Sequence, residues 1–363
     1  MSTTLASDSL PASGYPMRQW VFEDSAGRYD IDLGDSHIQA GTTSQLRMPD
    51  NLELSYGMDR GTPQLIELIA QRYQGDADHI VVTHGAQEAL YLLYCTLLRP
   101  GDRVLAFRPG WGQASEAPRR LGCQVQIADL RDDFSIDLAA LSEIASPGFR
   151  LITVNSPGNP TGRRIREREL EMILSLAHRS DAYVIADEEY VLDLSRSIAI
   201  DRQRVISVSS LSKMAGLPGL RIGWMYGAPD IVTQCAKYKH LTSVSNSVLC
   251  ESMAASVLAD WPLWARKYEG LTQDGLRQLK QFVLGHETSL RLILPEGTPF
   301  AWVHLKTGES SLGFARRVLQ QGVLVMPGET LGAPGGFRIT FAREPDVLAE
   351  GLSRIGQVLR GRS

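Results

Sequence analysis

Cysteine is sparse and unpatterned in this chain. Cys95, Cys123, Cys235 and Cys250 stand apart, with no CxxC spacing, which argues against a sequence-local zinc site or a disulfide framework and fits a reducing, cytoplasmic setting. An excess of basic residues is also missing. A net charge of -4 argues against nucleic-acid binding, which needs a basic surface to neutralise phosphates. The opening residues MSTTLASDSLPASGYP carry no basic patch followed by an apolar run, and the longest apolar stretch, near Ala89 to Leu98, is too short to cross a bilayer. The expectation is a soluble protein that works on small molecules, with no nucleic-acid or membrane partner and no metal. Lysine is also scarce: Lys213 is the first in the chain, and only Lys237, Lys239, Lys267, Lys280 and Lys306 follow.

What is present is an alternation of short β-branched runs with amphipathic stretches, the pattern of parallel strands joined by helices. Strands are expected at His79–Thr83, Val104–Phe107, Gln124–Ala128, Leu151–Asn155, Tyr183–Asp187, Val205–Ser209 and Ile222–Met225, and helices at Ala86–Leu98, Arg166–Arg179 and Pro229–Lys239. From about Val248 long helices take over, followed by strand-like runs at Arg291–Leu294, Ala301–Leu305, Val323–Met326 and Phe337–Phe341. The chain of 363 residues is long enough for two cores. The expected fold is α/β: a doubly wound, mainly parallel seven-stranded sheet over 46–247, and a smaller α+β lobe over 248–363 joined by the N-terminal segment 1–45.

Four of the lysines after Lys213 fall on stretches that read as polar helix faces. Lys213 instead lies in SSLSKMAGLPGLRIGW, a Ser- and Gly-rich loop between two strands, where a side chain reaches a cleft at strand ends. An isolated loop lysine is ordinarily a surface residue. Its neighbours outweigh that reading, because Ser210 and Arg221 supply a hydroxyl and a guanidinium fork that suit one phosphate group. Asn159 is offered from the turn NSPGNPTG after an apolar strand. In YVIADEEY a strand ends in Asp187, with Tyr190 three residues on; the acid suits a helix cap, or a carboxylate that keeps a pyridine nitrogen protonated. THGAQEALYLL follows a strand and opens a helix, so the amides of Ala86 and Gln87 form an anion site. Trp111, in RPGWGQ, suits either stacking on a flat ring or a place in the core.

In this order the motifs Gly85-Ala86-Gln87, Trp111, Asn159-Pro-Thr-Gly162, Asp187-x-x-Tyr190, Ser210-x-x-Lys213 and Arg221-x-Gly223 resemble the fold-type I, class I/II aminotransferase family across nearly the whole chain. The resemblance implies pyridoxal 5'-phosphate as cofactor. It implies that Lys213 forms the internal aldimine, a Schiff base, and moves the proton at the substrate's Cα; that Asp187 pairs with the pyridine nitrogen; and that Asn159 and Tyr190 bond the ring oxygen. Ser210, Arg221, Ala86 and Gln87 would hold the phosphate, with Trp111 on the ring. LSYGMDRGTPQLIELIAQRY resembles the segment whose tyrosine, here Tyr56, reaches a partner's phosphate in a homodimer, and MPGETLGAPGGFRITFA the strand whose arginine, here Arg338, grips the substrate α-carboxylate. Arg338 alternates with Phe337, Ile339 and Phe341 and reads equally as solvent-facing. IDLGDSHIQ offers Gly34, Ser36 and His37 for the carboxylate edge without deciding among them, and no second arginine for a dicarboxylic substrate is identifiable. The implied activity is transfer of an amino group between an amino acid and a 2-oxo acid. Elimination, replacement or cyclisation of a hydroxylated, arginine-derived amino acid, as in capreomycidine synthase-like cyclases, uses the same residues.

Overall fold

The computed structural model describes residues 15–144 and 148–361. Most of the opening segment read above for targeting signals lies outside those residues. A two-residue strand, β1 (Ile31–Asp32), precedes a large sheet built from the apolar runs β2 (Ile80–Thr83), β3 (Arg103–Arg108), β4 (Gln124–Asp129), β5 (Phe149–Asn155), β6 (Tyr183–Asp187), β7 (Val205–Ser210) and β8 (Gly223–Tyr226). The spatial order is β2-β8-β7-β6-β5-β3-β4, and only β8 runs antiparallel to its neighbours. Helices cover both faces, so the strands are apolar on both sides. Ile152, Val154, Val184 and Ala186 pack into one core, while Leu151, Ile185 and Val208 face the other. The fold is therefore the doubly wound, mainly parallel seven-stranded sheet that the sequence pattern predicts.

The strand directions decide where a site forms. β2, β5, β6 and β7 point the same way, so Thr83, Asn155, Asp187 and Ser210 end along one edge, and the antiparallel β8 begins there with Gly223 between Thr83 and Ser210. Ligands of open α/β sheets bind outside such carboxyl ends.

The second lobe contains β9 (Leu290–Ile293), β10 (Phe300–Leu305), β11 (Val323–Leu324), β12 (Met326–Pro327) and β13 (Gly336–Thr340). Four of these form an antiparallel sheet in the order β12-β13-β10-β9, and β11 pairs in parallel with β1. Trp20, Ile31, Leu33 and Ile38 share a core with Trp302, Phe314 and Phe337, which brings residues 34–37 to the cleft between the sheets. One lysine departs from the expectation of a polar helix face. Lys239 is fully buried, and its ammonium donates to the carbonyls of Asp59 (3.1 Å) and Val82 (2.8 Å) and to Asn246 Oδ1. Bonding to three acceptors offsets the cost of burying the amine.

Candidate active site

The cleft at the strand ends has a volume of about 210 Å³ and is lined by Ala86, Gln87, Trp111, Asn159, Asp187, Glu189, Tyr190, Lys213 and Arg221, among others. One end is an anion cradle. The helix Gly85–Leu97 starts immediately after β2, leaving its first amides free. A Cβ on Gly223 would lie 2.4 Å from the Gly85 carbonyl carbon, and one on Gly85 would lie 2.5 Å from Arg221 Nη2; only glycine lets these segments touch. Arg221 itself has a left-handed backbone, φ 53°, uncommon for a side chain with a Cβ. Its guanidinium donates to the carbonyls of Pro218 (3.0 Å) and His84 (3.1 Å), beside the helix start. Ser210 is buried at the end of β7, where its hydroxyl accepts from the Ser212 amide at 3.0 Å.

Below the cradle the cleft is acidic. Burial, reinforced by the neighbouring Glu189 charge, raises the Asp187 carboxyl from 3.8 to about 7, although Lys213 opposes the shift. Asn155 locks this corner: its side chain donates to the Asp187 carbonyl (3.0 Å) and accepts from the Asn159 amide (2.6 Å). The Trp111 indole N–H donates to Gln87 Oε1 at 3.1 Å, tying one wall to the cradle helix. Tyr190 is buried edge-to-face on Phe300, with ring centroids 5.1 Å apart. Burial pushes its hydroxyl well above the usual tyrosine range, so it stands as a neutral donor.

The other wall belongs to the small lobe. Arg338 is 2% exposed, which removes the solvent-facing reading. Its Nη1 donates to Asn159 Oδ1 at 2.6 Å, its Nη2 to the Gly34 carbonyl, and its guanidinium carbon lies 5.2 Å from the centre of the Phe300 ring. Its buried Nε has no partner among the described residues. A buried cation with an unspent donor is expected to meet an anion. Across the cleft, Lys213 donates to Ser36 Oγ at 3.0 Å. Asp35, next to it, is held below the usual carboxylate range: burial opposes the charge, but His37, Lys213 and Arg338 outweigh it.

The structure thus gathers Ala86, Gln87, Trp111, Asn159, Asp187, Tyr190, Lys213 and Arg221 around one cleft, with Ser210 buried behind it against Ser212 and Arg338 joined to it through Asn159. It does not bring Tyr56 into that group. Tyr56 lies 88% exposed on the surface of this chain. Ser36 and Gly34, left undecided by the sequence, separate by contact, with Ser36 on Lys213 and Gly34 on Arg338. Asn155 and Glu189 escaped the sequence reading, although both sit at or just beyond the ends of recognised strands. That position was the available signal.

A two-lobed α/β enzyme of fold type I is the class that this sheet and cleft define, with an anion cradle, a buried acid and an amine facing one space. The family model for aminotransferase class I and II matches residues 26–355. Capreomycidine synthase of Streptomyces vinaceus is 29% identical, over 98% of this chain and 96% of that protein. The aspartate aminotransferase of Thermotoga maritima is 28% identical, over 100% and 97%. A pyridoxal-phosphate-dependent aminotransferase from Streptococcus suis superposes with a TM-score of 0.89 at 26% identity, covering 96% of this chain and 98% of that one. The chain belongs to the class I and II aminotransferase family and is a transferase dependent on pyridoxal 5'-phosphate. The residues present fit that group. The glycine-lined cradle offers free amides and Arg221 to a phosphate, and the buried Asp187 carboxyl, its charge destabilised, suits a cationic ring nitrogen.

Proposed function

We propose that the protein is an aminotransferase that moves an amino group between an amino acid and a 2-oxo acid, with Lys213 as covalent anchor and proton carrier. One observation carries the reading: the Lys213 amine shares a cleft with the buried Asp187 and with Asn159, whose side chain accepts from Arg338, a buried cation with an Nε unpartnered among the described residues. When bound, the cofactor supplies the electron sink that makes the substrate's Cα–H acidic. Arg338 receives the α-carboxylate and so fixes which face of Cα meets Lys213. Ser36 holds the lysine amine until it is needed, and Asp187 keeps a positive charge on the ring nitrogen. Asn159, tied to Arg338, and Tyr190 offer N–H and O–H donors from the same wall.

The direct test is to add a single amino acid to the pure protein and follow the cofactor spectrum. Conversion to the stable pyridoxamine form, reversed by a 2-oxo acid, is expected. The competing reading, cyclisation or elimination of a hydroxylated amino acid, is favoured by the similarity to capreomycidine synthase. It predicts a processed amino acid with no lasting conversion of the cofactor.

Arg338→Ala is expected to raise the KM for the amino acid and to lower kcat/KM by roughly two to three orders of magnitude, since losing a partly desolvated charge pair costs about 2–5 kcal/mol. The cofactor spectrum without substrate should stay the same. Unaltered substrate affinity in a spectral titration would deny Arg338 this role.

The active unit is proposed to be a homodimer. Tyr56 is exposed, as are Leu54 and Met58 on its own segment, which suits a surface that a second copy of the chain covers. The buried Lys239 ties the base of this segment, through Asp59, to Asn246. Tyr56→Phe should weaken cofactor retention roughly tenfold, the loss of one hydrogen bond to a charged group. At limiting cofactor, mixing these chains with Lys213→Ala chains should restore activity through hybrids that contain one intact site. Active monomers in sedimentation would contradict the dimer.

A further inference from the structure

Glu189 is the acid that the roles above leave unused. It lies two residues beyond Asp187, it is 7% exposed, it lines the same cleft as Lys213 and Arg221, and its Oε1 has no partner among the described residues. Its neighbour Glu188 is different in kind. That carboxylate accepts from the hydroxyls of Ser197 and Ser207, each at 2.5 Å, and from the Ile198 amide at 2.9 Å, so it holds the fold. Glu189 makes no comparable set of contacts.

The groups acting on Glu189 come from every side of the cradle. Lys213, from the loop after β7, and Arg221, from the approach to β8, line the same cleft, and both act on the Glu189 carboxyl together with Ser210 at the end of β7. Asp187 and Tyr190 lie beside it on its own segment. A buried carboxylate therefore sits among the cations and hydroxyl that a phosphate would use. Two anions cannot share that space at full charge.

We propose that Glu189 is a proton-linked gate on the cofactor's phosphate: ionised, its buried carboxylate, with an Oε1 unpartnered among the described residues, repels a phosphate from the cradle; protonated, it admits the phosphate and donates its O–H to a phosphate oxygen. Phosphate binding would then take up one proton from solvent at Glu189. The inference rests on the reading of the cradle as a phosphate site. In support, burial raises the Glu189 carboxyl above its ordinary range, against the pull of Lys213, Ser210 and Arg221. The sign follows from linkage. Affinity for the phosphate ester should fall as pH rises through the folded carboxyl's range, and replacing the acid with an amide should remove that fall.

The test uses the full chain freed of cofactor. Pyridoxal 5'-phosphate and pyridoxal, which lacks the phosphate, are titrated into wild type and Glu189→Gln near pH 6 and near pH 9, with tryptophan fluorescence and absorbance as readouts. Glu189→Gln should bind the phosphate ester roughly tenfold more tightly than wild type at the higher pH, one pK unit of linkage. The gap should narrow at the lower pH and be absent with pyridoxal. Ionisation of the phosphate itself and chemistry at Lys213 are common to both proteins and cancel in the comparison. Calorimetry in two buffers of different ionisation enthalpy should show less proton uptake in the variant. Equal pH dependence in the two proteins, or weaker binding by a folded Glu189→Gln at both pH values, would overturn the gate and leave Glu189 as a support for Ser210. Failure of wild type to prefer the phosphate ester over pyridoxal would overturn the cradle reading itself.

Discussion

Lys213→Ala will lose the near-visible absorption band of the bound cofactor and at least about 10⁴-fold in turnover, the order expected when a covalent catalytic group is removed. No other lysine can substitute for it. Lys239 is spent on three buried acceptors, Lys306 donates to the Glu287 carbonyl, and Lys237, Lys267 and Lys280 stand on helices outside the cleft. The variant should keep its fold, because among the described residues the lysine amine makes one hydrogen bond, to Ser36, which lies at the cleft wall. A small primary amine added to the variant should recover part of the proton transfer, since an amine of similar basicity can then occupy the vacated space. A variant with an unchanged band and wild-type turnover would remove Lys213 from the chemistry.

Asp187→Asn should cost roughly 10²–10⁴-fold in turnover, the range of a lost acid–base or charge partner, while stabilising the cofactor-free protein at high pH. The folded carboxyl titrates at about 7 against 3.8 without the fold. Below the lower value the group is protonated in both states and burial costs nothing. Between the two values the folded state holds its proton while the unfolded state loses it, so stability falls as pH rises and stays reduced above about 7. Removing the carboxyl removes this penalty, which is on the order of a few kcal/mol. The cofactor-free variant should therefore melt above wild type near pH 8, and the two should converge near pH 4. Adding cofactor should reverse the order, because a cationic ring nitrogen repays the buried charge in wild type alone. Melting curves with and without cofactor at both pH values settle it. If cofactor stabilised both proteins equally, Asp187 would be only the end of its strand.

Much of this site was readable because catalytic groups in a doubly wound sheet sit where strands stop, and strand ends are visible in a sequence. Asp187 closes an apolar run whose alternation also divides its residues between the two cores. Lys213 follows another such run in a chain with few lysines. Arg338 stood out from Phe337, Ile339 and Phe341 by alternation alone, but alternation says only that it opposes them. Its burial comes from the small lobe closing over β13 and from Asn159, 179 residues away in sequence, accepting its N–H. Lys239 misled for a related reason. Its helix reads as polar on that face, yet the face is covered by the loop at Asp59 and by Asn246.

The local chemistry of the chain by itself determined the sheet, its strand boundaries to within a few residues, the glycine-dependent cradle and most of the groups that surround it, since hydrophobic period and backbone freedom are properties of neighbouring residues. Only the tertiary structure decided that Ser36 meets Lys213 rather than the carboxylate edge, that Asn155 locks Asp187, that Glu189 turns into the cradle instead of away from it, and that Tyr56 is left facing solvent. Each of those depends on how two distant segments approach, and that approach is set by packing of the two lobes and the N-terminal segment into shared cores, which no short stretch of sequence encodes.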